Sequence, residues 1–209
     1  MSSTYTINEI FYSIQGEGVR AGTANVFVRF TGCNMRCDVE PGPQSPGGFA
    51  CDTEFASGRK MTLDEILEFA GKIAPTCRWL ILTGGEPALQ VDREFCEFFG
   101  KVGYQLAIET NGSVALGDGL GELPLDWVTV SPKVAEHCIK QLKASEVKYV
   151  RGLGQGIPKT VVVADHYLIS PAFGGNALDR EVLDWCIKLC LENPEWRLSV
   201  QQHKKWGVR

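Results

Sequence analysis

The sequence predicts an α/β fold with a mostly parallel sheet, and three observations carry that prediction. Short runs rich in Val, Ile, Leu and Phe recur along the chain, helical periodicities lie between them, and no break in composition divides the 209 residues. The chain therefore reads as one domain, residues 1–209.

In order, "ANVFVRF" (residues 24–30) is a strand candidate, followed by "RWLILT" (78–83), "YQLAIET" (104–110), "WVTVS" (127–131) and "EVKYVRG" (146–152). "HYLIS" (166–170) and "WRLSVQQ" (196–202) complete the set. The first helix is expected after Thr62 and Glu65, which have the spacing of a capping box, with Ile66, Leu67, Ala70 and Ile73 on one face. Val91, Phe95, Phe98, Phe99 and Val102 repeat that spacing, and Gly103 is placed to end the second helix. Val182, Leu183, Cys186, Ile187 and Cys190 predict a third, and residues 134–144 a weaker one. "LGDGLGEL" and "RGLGQGIP" read as loops; neither fits G-x-G-x-x-G, and no P-loop is present.

Composition narrows the function. Hydrophobic residues make up 44% and charged residues 22%, and the net charge is −4 with no cluster of Lys or Arg, so a nucleic-acid surface is not expected. No stretch approaches the roughly 20 apolar residues of a membrane span. "MSSTYTINEI" lacks the pattern of a signal peptide, and the chain is read as cytoplasmic, where its eight cysteines stay reduced.

Chemistry concentrates in "GCNMRCDVEPGPQSPGGFACDTEF" (residues 32–55). Three thiolates would fill three corners of a [4Fe–4S] cluster and leave one iron open to a small molecule, whereas a structural zinc needs a fourth ligand. The spacing alone leaves a metal site and ordinary thiols both open. Position sharpens the reading: this loop follows a strand, and ligand sites gather at the C-terminal edge of parallel strands. The next strands end in Thr83, Gly84, Gly85 and Glu86, then in Glu109 and Asn111, then in Ser131 and Lys133. Four successive strands with polar ends suggest one ligand rim.

With the cysteine loop, "GGEP" resembles the radical S-adenosylmethionine (SAM) superfamily. Within it, "SIQGEG", "FVRFTGCN", "CDT", "LTGGEP", "ETNG", "VSPK", "EVKYV" and "QQHK" resemble the 7-carboxy-7-deazaguanine synthase family in motif order, from Glu9 to Lys204. One departure stands out. The usual superfamily loop, C-x3-C-x2-C, would put a cysteine where Glu40 stands, and "CDT" begins instead at Cys51. The cluster loop thus spans residues 33–53, with a Pro/Gly-rich excursion at about 39–50. Closure entropy grows by only about 0.6 kcal/mol per doubling of loop length, so Cys33, Cys37 and Cys51 are read as one site. The other five cysteines are expected to be core thiols.

The resemblance implies an incomplete (β/α) barrel of the radical SAM type and a lyase that converts 6-carboxy-5,6,7,8-tetrahydropterin to 7-carboxy-7-deazaguanine with loss of ammonia. It implies a [4Fe–4S] cluster on Cys33, Cys37 and Cys51, SAM, and Mg²⁺ at Thr53. SAM would meet Asp52, Gly84, Gly85, Glu86, Glu109, Asn111, Ser131, Pro132, Lys133, Ser170, Pro171, Ala172 and Phe173. The substrate would meet Ile14, Gln15, Gly16, Glu17, Arg29, Thr83, His203 (placed on the last strand) and Arg209. An external electron donor such as flavodoxin and a homodimer are implied as partners. Two competing classes are a glycyl-radical activase, which would not need "SIQGEG", Arg29 or "CDT", and a non-catalytic metal-binding protein, which would need a nearby fourth ligand and no polar strand ends.

Overall fold

A computed structural model describes residues 3–38, 40, 48–51, 53–174 and 177–208. Its centre is a nine-stranded sheet. The strands are β1 (Thr4–Ile14), β2 (Ala24–Phe30), β3 (Arg59–Thr62), β4 (Trp79–Gly84), β5 (Gln105–Thr110), β6 (Trp127–Val130), β7 (Lys143–Arg151), β8 (Val163–Pro171) and β9 (Trp196–Leu198). They lie in the order β9-β8-β7-β6-β5-β4-β2-β1-β3. β2 and β4 to β9 run parallel, while β1 pairs antiparallel with both β2 and β3. The result is the open, mostly parallel sheet of an incomplete (β/α) barrel.

Helices α1 (Leu63–Ile73), α2 (Arg93–Lys101) and α3 (Arg180–Glu192) pack on one face. Thr62 does cap α1: its hydroxyl accepts from the Glu65 N–H while the Glu65 carboxylate accepts from the Thr62 N–H, an arrangement that stabilises a helix by about 1 kcal/mol. Strand alternation sends Val26, Val28, Phe30, Leu80, Leu82, Leu106 and Ile108 towards α1 and α2, where they bury around Phe95 and Phe99. The opposite face carries a smaller apolar floor of Phe11, Phe27, Ile81 and Ala107, with the Phe11 and Phe27 rings stacked 5.0 Å apart. That face is the one left to build a site.

Several expectations are corrected. Residues 134–144 do not form a helix: a single 3-10 turn at Glu136–Cys138 is followed by β7. β1 and β3 were not foreseen, although Tyr5 and Ile7 alternate with more exposed neighbours in the period-two pattern of a half-buried strand. The last strand is shorter than expected, stopping at Leu198, and the chain turns into helix α4 (Gln202–Trp206), so His203 is helical. Cys77, Cys96 and Cys186 are buried as core thiols and Cys190 is half-buried, but Cys138 is exposed. No described helix is long and apolar enough to cross a membrane.

Candidate active site

The C-terminal ends of the parallel strands open onto a cavity of about 450 Å³. Ile14, Gln15, Gly16 and Glu17, on the loop after β1, form one wall. Arg29 from β2, Thr83 from β4 and Glu109 from β5 rise from the sheet, and Phe11 and Phe27 form the floor. Thr53 closes the side next to the cysteine loop; Gln201, His203, Lys204 and Val208 close the other. Nine of the foreseen residues thus converge here. Gln201, Lys204, Gly207, Val208 and the two phenylalanines were not foreseen, although "QQHK" already contained the first two.

The polar groups are tied to each other. The Glu109 carboxylate accepts from Gln15 Nε2 at 2.8 Å and from Thr83 Oγ1 at 2.9 Å. Arg29 pairs with Glu9 at 3.3 Å, and its guanidinium lies over the Phe11 ring. Glu17 accepts from Lys148 Nζ and from Gln201 Nε2. Burial alone would raise the Glu17 carboxyl, but the ammonium of Lys148 outweighs it and holds the group at about 2. The Gly16 position is constrained too: a Cβ there would stand 2.3 Å from His203 Nδ1, so the histidine packs directly on this backbone.

Beside the cavity lies the cysteine loop. Cys51 N–H donates to the Cys37 carbonyl at 3.3 Å, joining the two ends of the long excursion. Cys33 feels the charges of Cys37 and Cys51, and Cys37 that of Cys51. Burial raises the Cys33 and Cys37 thiols, and the Lys133 ammonium opposes that rise at Cys37. Among the described residues no three His, Cys, Asp or Glu side chains converge on a single ion. A cubane distributes its irons over separate corners, so its ligands need not converge in that way.

Of the remaining foreseen residues, Gly85, Glu86 and Asn111 bond to this loop or to the strand end that enters it. Gly85 N–H donates to the Phe30 carbonyl at 3.0 Å and Glu86 N–H to the Gly32 carbonyl at 2.8 Å, stitching the turn after β4 onto the start of the cysteine loop. Gly84 has a φ of +108°, and a Cβ there would meet the Phe30 backbone at 2.5 Å. Both glycines therefore answer to a close backbone approach. Glu86 turns its carboxylate into the protein, accepting from Thr110 Oγ1, Asn111 N–H and Ala88 N–H, which leaves only its backbone for a ligand. Burial raises this carboxyl, and the three donors oppose that rise.

Asn111 is buried and donates to Asn34 Oδ1 on the cysteine loop. Lys133 Nζ lies 3.3 Å from Ser131 Oγ, with Pro132 between the two residues. Ser170 and Pro171 are buried at the end of β8, with Ala172 and Phe173 half-buried beyond, and Lys204 Nζ sits 4.8 Å from the Phe173 ring centroid. Asp52 and Arg209 lie outside the described residues.

No family model matches the chain. It is 35% identical to the 7-carboxy-7-deazaguanine synthase of Bradyrhizobium diazoefficiens over 218 aligned residues, covering 99% of this chain and all of the relative. It is 36% identical to that of Bacteroides thetaiotaomicron, covering 97% and 98% of the two chains. The crystal structure of QueE from Escherichia coli superposes with a TM-score of 0.68 at 25% identity, covering 96% of this chain and 95% of that one. The chain belongs to the 7-carboxy-7-deazaguanine synthase family.

Proposed function

We propose that this chain, as a radical SAM lyase, converts 6-carboxy-5,6,7,8-tetrahydropterin to 7-carboxy-7-deazaguanine with loss of ammonia. The observation that carries the proposal is the cavity in which Gln15, Glu17, Arg29, Thr83 and His203 surround a space suited to one small molecule, while Thr53 joins its wall to the cysteine loop.

The residues present fit the cofactors of such an enzyme. Cys33, Cys37 and Cys51 supply three thiols for a [4Fe–4S] cluster, and Gly84, Gly85 and the Glu86 backbone offer carbonyls to the SAM amino group. Glu109 and Asn111 would take the ribose, with Ser131, Pro132, Lys133 and the stretch from Ser170 to Phe173 lining the rest. When bound, the cluster and SAM supply the one-electron chemistry that side chains lack. The chain's own part is placement and exclusion. The Arg29 guanidinium, exchanging Glu9 for substrate, grips the pterin carboxylate. Glu17, ionised, accepts from the aminopyrimidine N–H groups. Phe11, Phe27 and Val208 keep water from the reacting face.

The same proposal includes Mg²⁺ held through the Thr53 hydroxyl, a hard oxygen donor of the kind that ion prefers. It includes a single radical SAM domain, supported by one continuous sheet. An external donor such as flavodoxin, a homodimer and a cytoplasmic setting complete it, on the strength of the family resemblance.

The test is a product assay on anaerobically reconstituted protein with SAM, reductant, Mg²⁺ and the tetrahydropterin, followed by mass spectrometry. Carboxydeazaguanine formed over many turnovers without matching loss of SAM is expected. Deoxyadenosine without that product would move the substrate assignment elsewhere.

A further inference from the structure

We propose that Lys148 is a positioning residue of the substrate pocket: its ammonium fixes the Glu17 carboxylate as a hydrogen-bond acceptor, so that the pocket selects a ring edge presenting N–H donors. The inference rests on the reading that Glu17 meets the substrate, and adds what holds that group and which edge it admits.

Strand alternation places Glu146 and Lys148 of "EVKYV" on the inner face of β7, with Val147 and Tyr149 in the core behind. The Lys148 side chain is 12% exposed and that of Glu17 16%, so the pair is shielded from solvent. Lys148 donates to Glu17 Oε2, and Gln201 Nε2 donates to Oε1 at 2.8 Å. Each carboxylate oxygen has two lone-pair directions, so each retains one for a ligand. Two adjacent N–H groups on a heterocycle meet that arrangement. A ring carbonyl in their place would set acceptor against acceptor and leave buried groups unpaired.

The loop carrying Glu17 is clamped from the same direction. Glu146 accepts from Val19 N–H at 2.8 Å and from Thr129 Oγ1 at 2.9 Å. Ser199 Oγ accepts from Gly18 N–H at 2.9 Å, and Gln202 N–H donates to the Gly16 carbonyl at 2.9 Å. The charged groups facing the pair are Glu146 on β7 and Glu109 on β5, both felt by Lys148, and His203 on α4, felt by Glu17. Without Lys148, the Glu17 carboxyl would sit shielded among two other carboxylates, and its neutral form would gain. A neutral acid presents a proton where the ligand also presents one.

The test is a fluorescence titration of the reconstituted holoenzyme with 6-carboxypterin, which keeps the 2-amino edge, and with 6-carboxylumazine, which has a 2-oxo group instead. Displacing the carboxylate is expected to weaken 6-carboxypterin binding to Lys148→Met about 10- to 100-fold, because it leaves buried N–H groups unpaired. The variant's affinity should fall more steeply than the wild type's as pH drops from 8 to 5; His203 and the ligand are common to both proteins, so the difference between the two profiles is what is read. The variant's preference for the amino edge should also shrink. Lys148→Arg, which keeps the charge, should restore the wild-type profile. If Lys148→Met does not fold, Lys148→Gln is read by the same profile. Glu17→Gln separates the two levels of inference. If it retains wild-type affinity and preference, the placement of substrate at Glu17 fails. If it loses the preference while Lys148→Met keeps the wild-type affinity and pH profile, only the role of Lys148 is overturned.

Discussion

Adding one methyl group at Gly85 should disconnect the turn after β4 from the cysteine loop. A Cβ there would stand 2.0 Å from the Gly32 carbonyl oxygen and 2.6 Å from its carbon, against the 3.0 Å below which real Cβ atoms essentially do not go. The opposing atoms are backbone, so no rotamer relieves the clash, and the two segments must separate by about 1 Å. That shift breaks or weakens two hydrogen bonds, Gly85 N–H to Phe30 and Glu86 N–H to Gly32, at about 1 kcal/mol each. Lower chain entropy in the unfolded state returns about 0.4–1 kcal/mol. The net loss of about 1–2 kcal/mol corresponds to a Tm lower by about 2–8 °C at this chain length. Activity should suffer more than stability. Cys33 follows Gly32 directly, and a misplacement of this size at a reacting centre costs on the order of 100-fold in rate. Iron content, SAM affinity and turnover of Gly85→Ala, measured beside a thermal melt, check this. A variant with wild-type turnover and full iron content would refute the close-approach argument.

Other predictions follow from the same structure. Cys51→Ser should lower iron incorporation after reconstitution, while the melting temperature of the iron-free protein stays within about 1–2 °C, because this exposed thiol supports no core; iron analysis and calorimetry decide. Glu17 has a folded-state value of about 2 against an ordinary 4.5, so the stability it contributes is fully present above pH 4.5 and is lost as pH falls towards 2. Unfolding measured across that window should show the loss, and Lys148→Met should remove the part that the ammonium supplies. Phe95→Ala would empty a fully buried site among Tyr5, Phe30 and Phe99, costing about 3–5 kcal/mol, read by denaturant unfolding.

Local chemistry was legible wherever it depends on neighbours in the chain. The Thr62 cap lies three residues from its partner, and the three long helices bury a face repeating every three to four residues. The apolar runs at 24–30 and 78–83 became the central strands β2 and β4, whose middle residues are buried on both faces. β1 was overlooked for the opposite reason. With an antiparallel partner on each side, it shows only a half-buried alternation, which is a weaker signal than a continuous apolar run. Residues 134–144 have helix-like apolar spacing, but Ile139 is buried against the core from a 3-10 turn, and β7 begins at Lys143.

What the sequence determined by itself is the order of the strands that end in polar residues, the thiols available to a cluster, and the motifs that single out one family. Those properties lie in residue identity and short spacing, which survive in a string of letters. Tertiary structure alone decided that the Cys51 N–H reaches the Cys37 carbonyl across the excursion, that the Glu86 carboxylate faces inward onto Thr110 and Asn111, and that Lys148 on β7 meets Glu17 from a loop 131 residues earlier. Each of these contacts is set by sheet register and by which face of a strand a side chain occupies. Neither is fixed until the strands have found their neighbours.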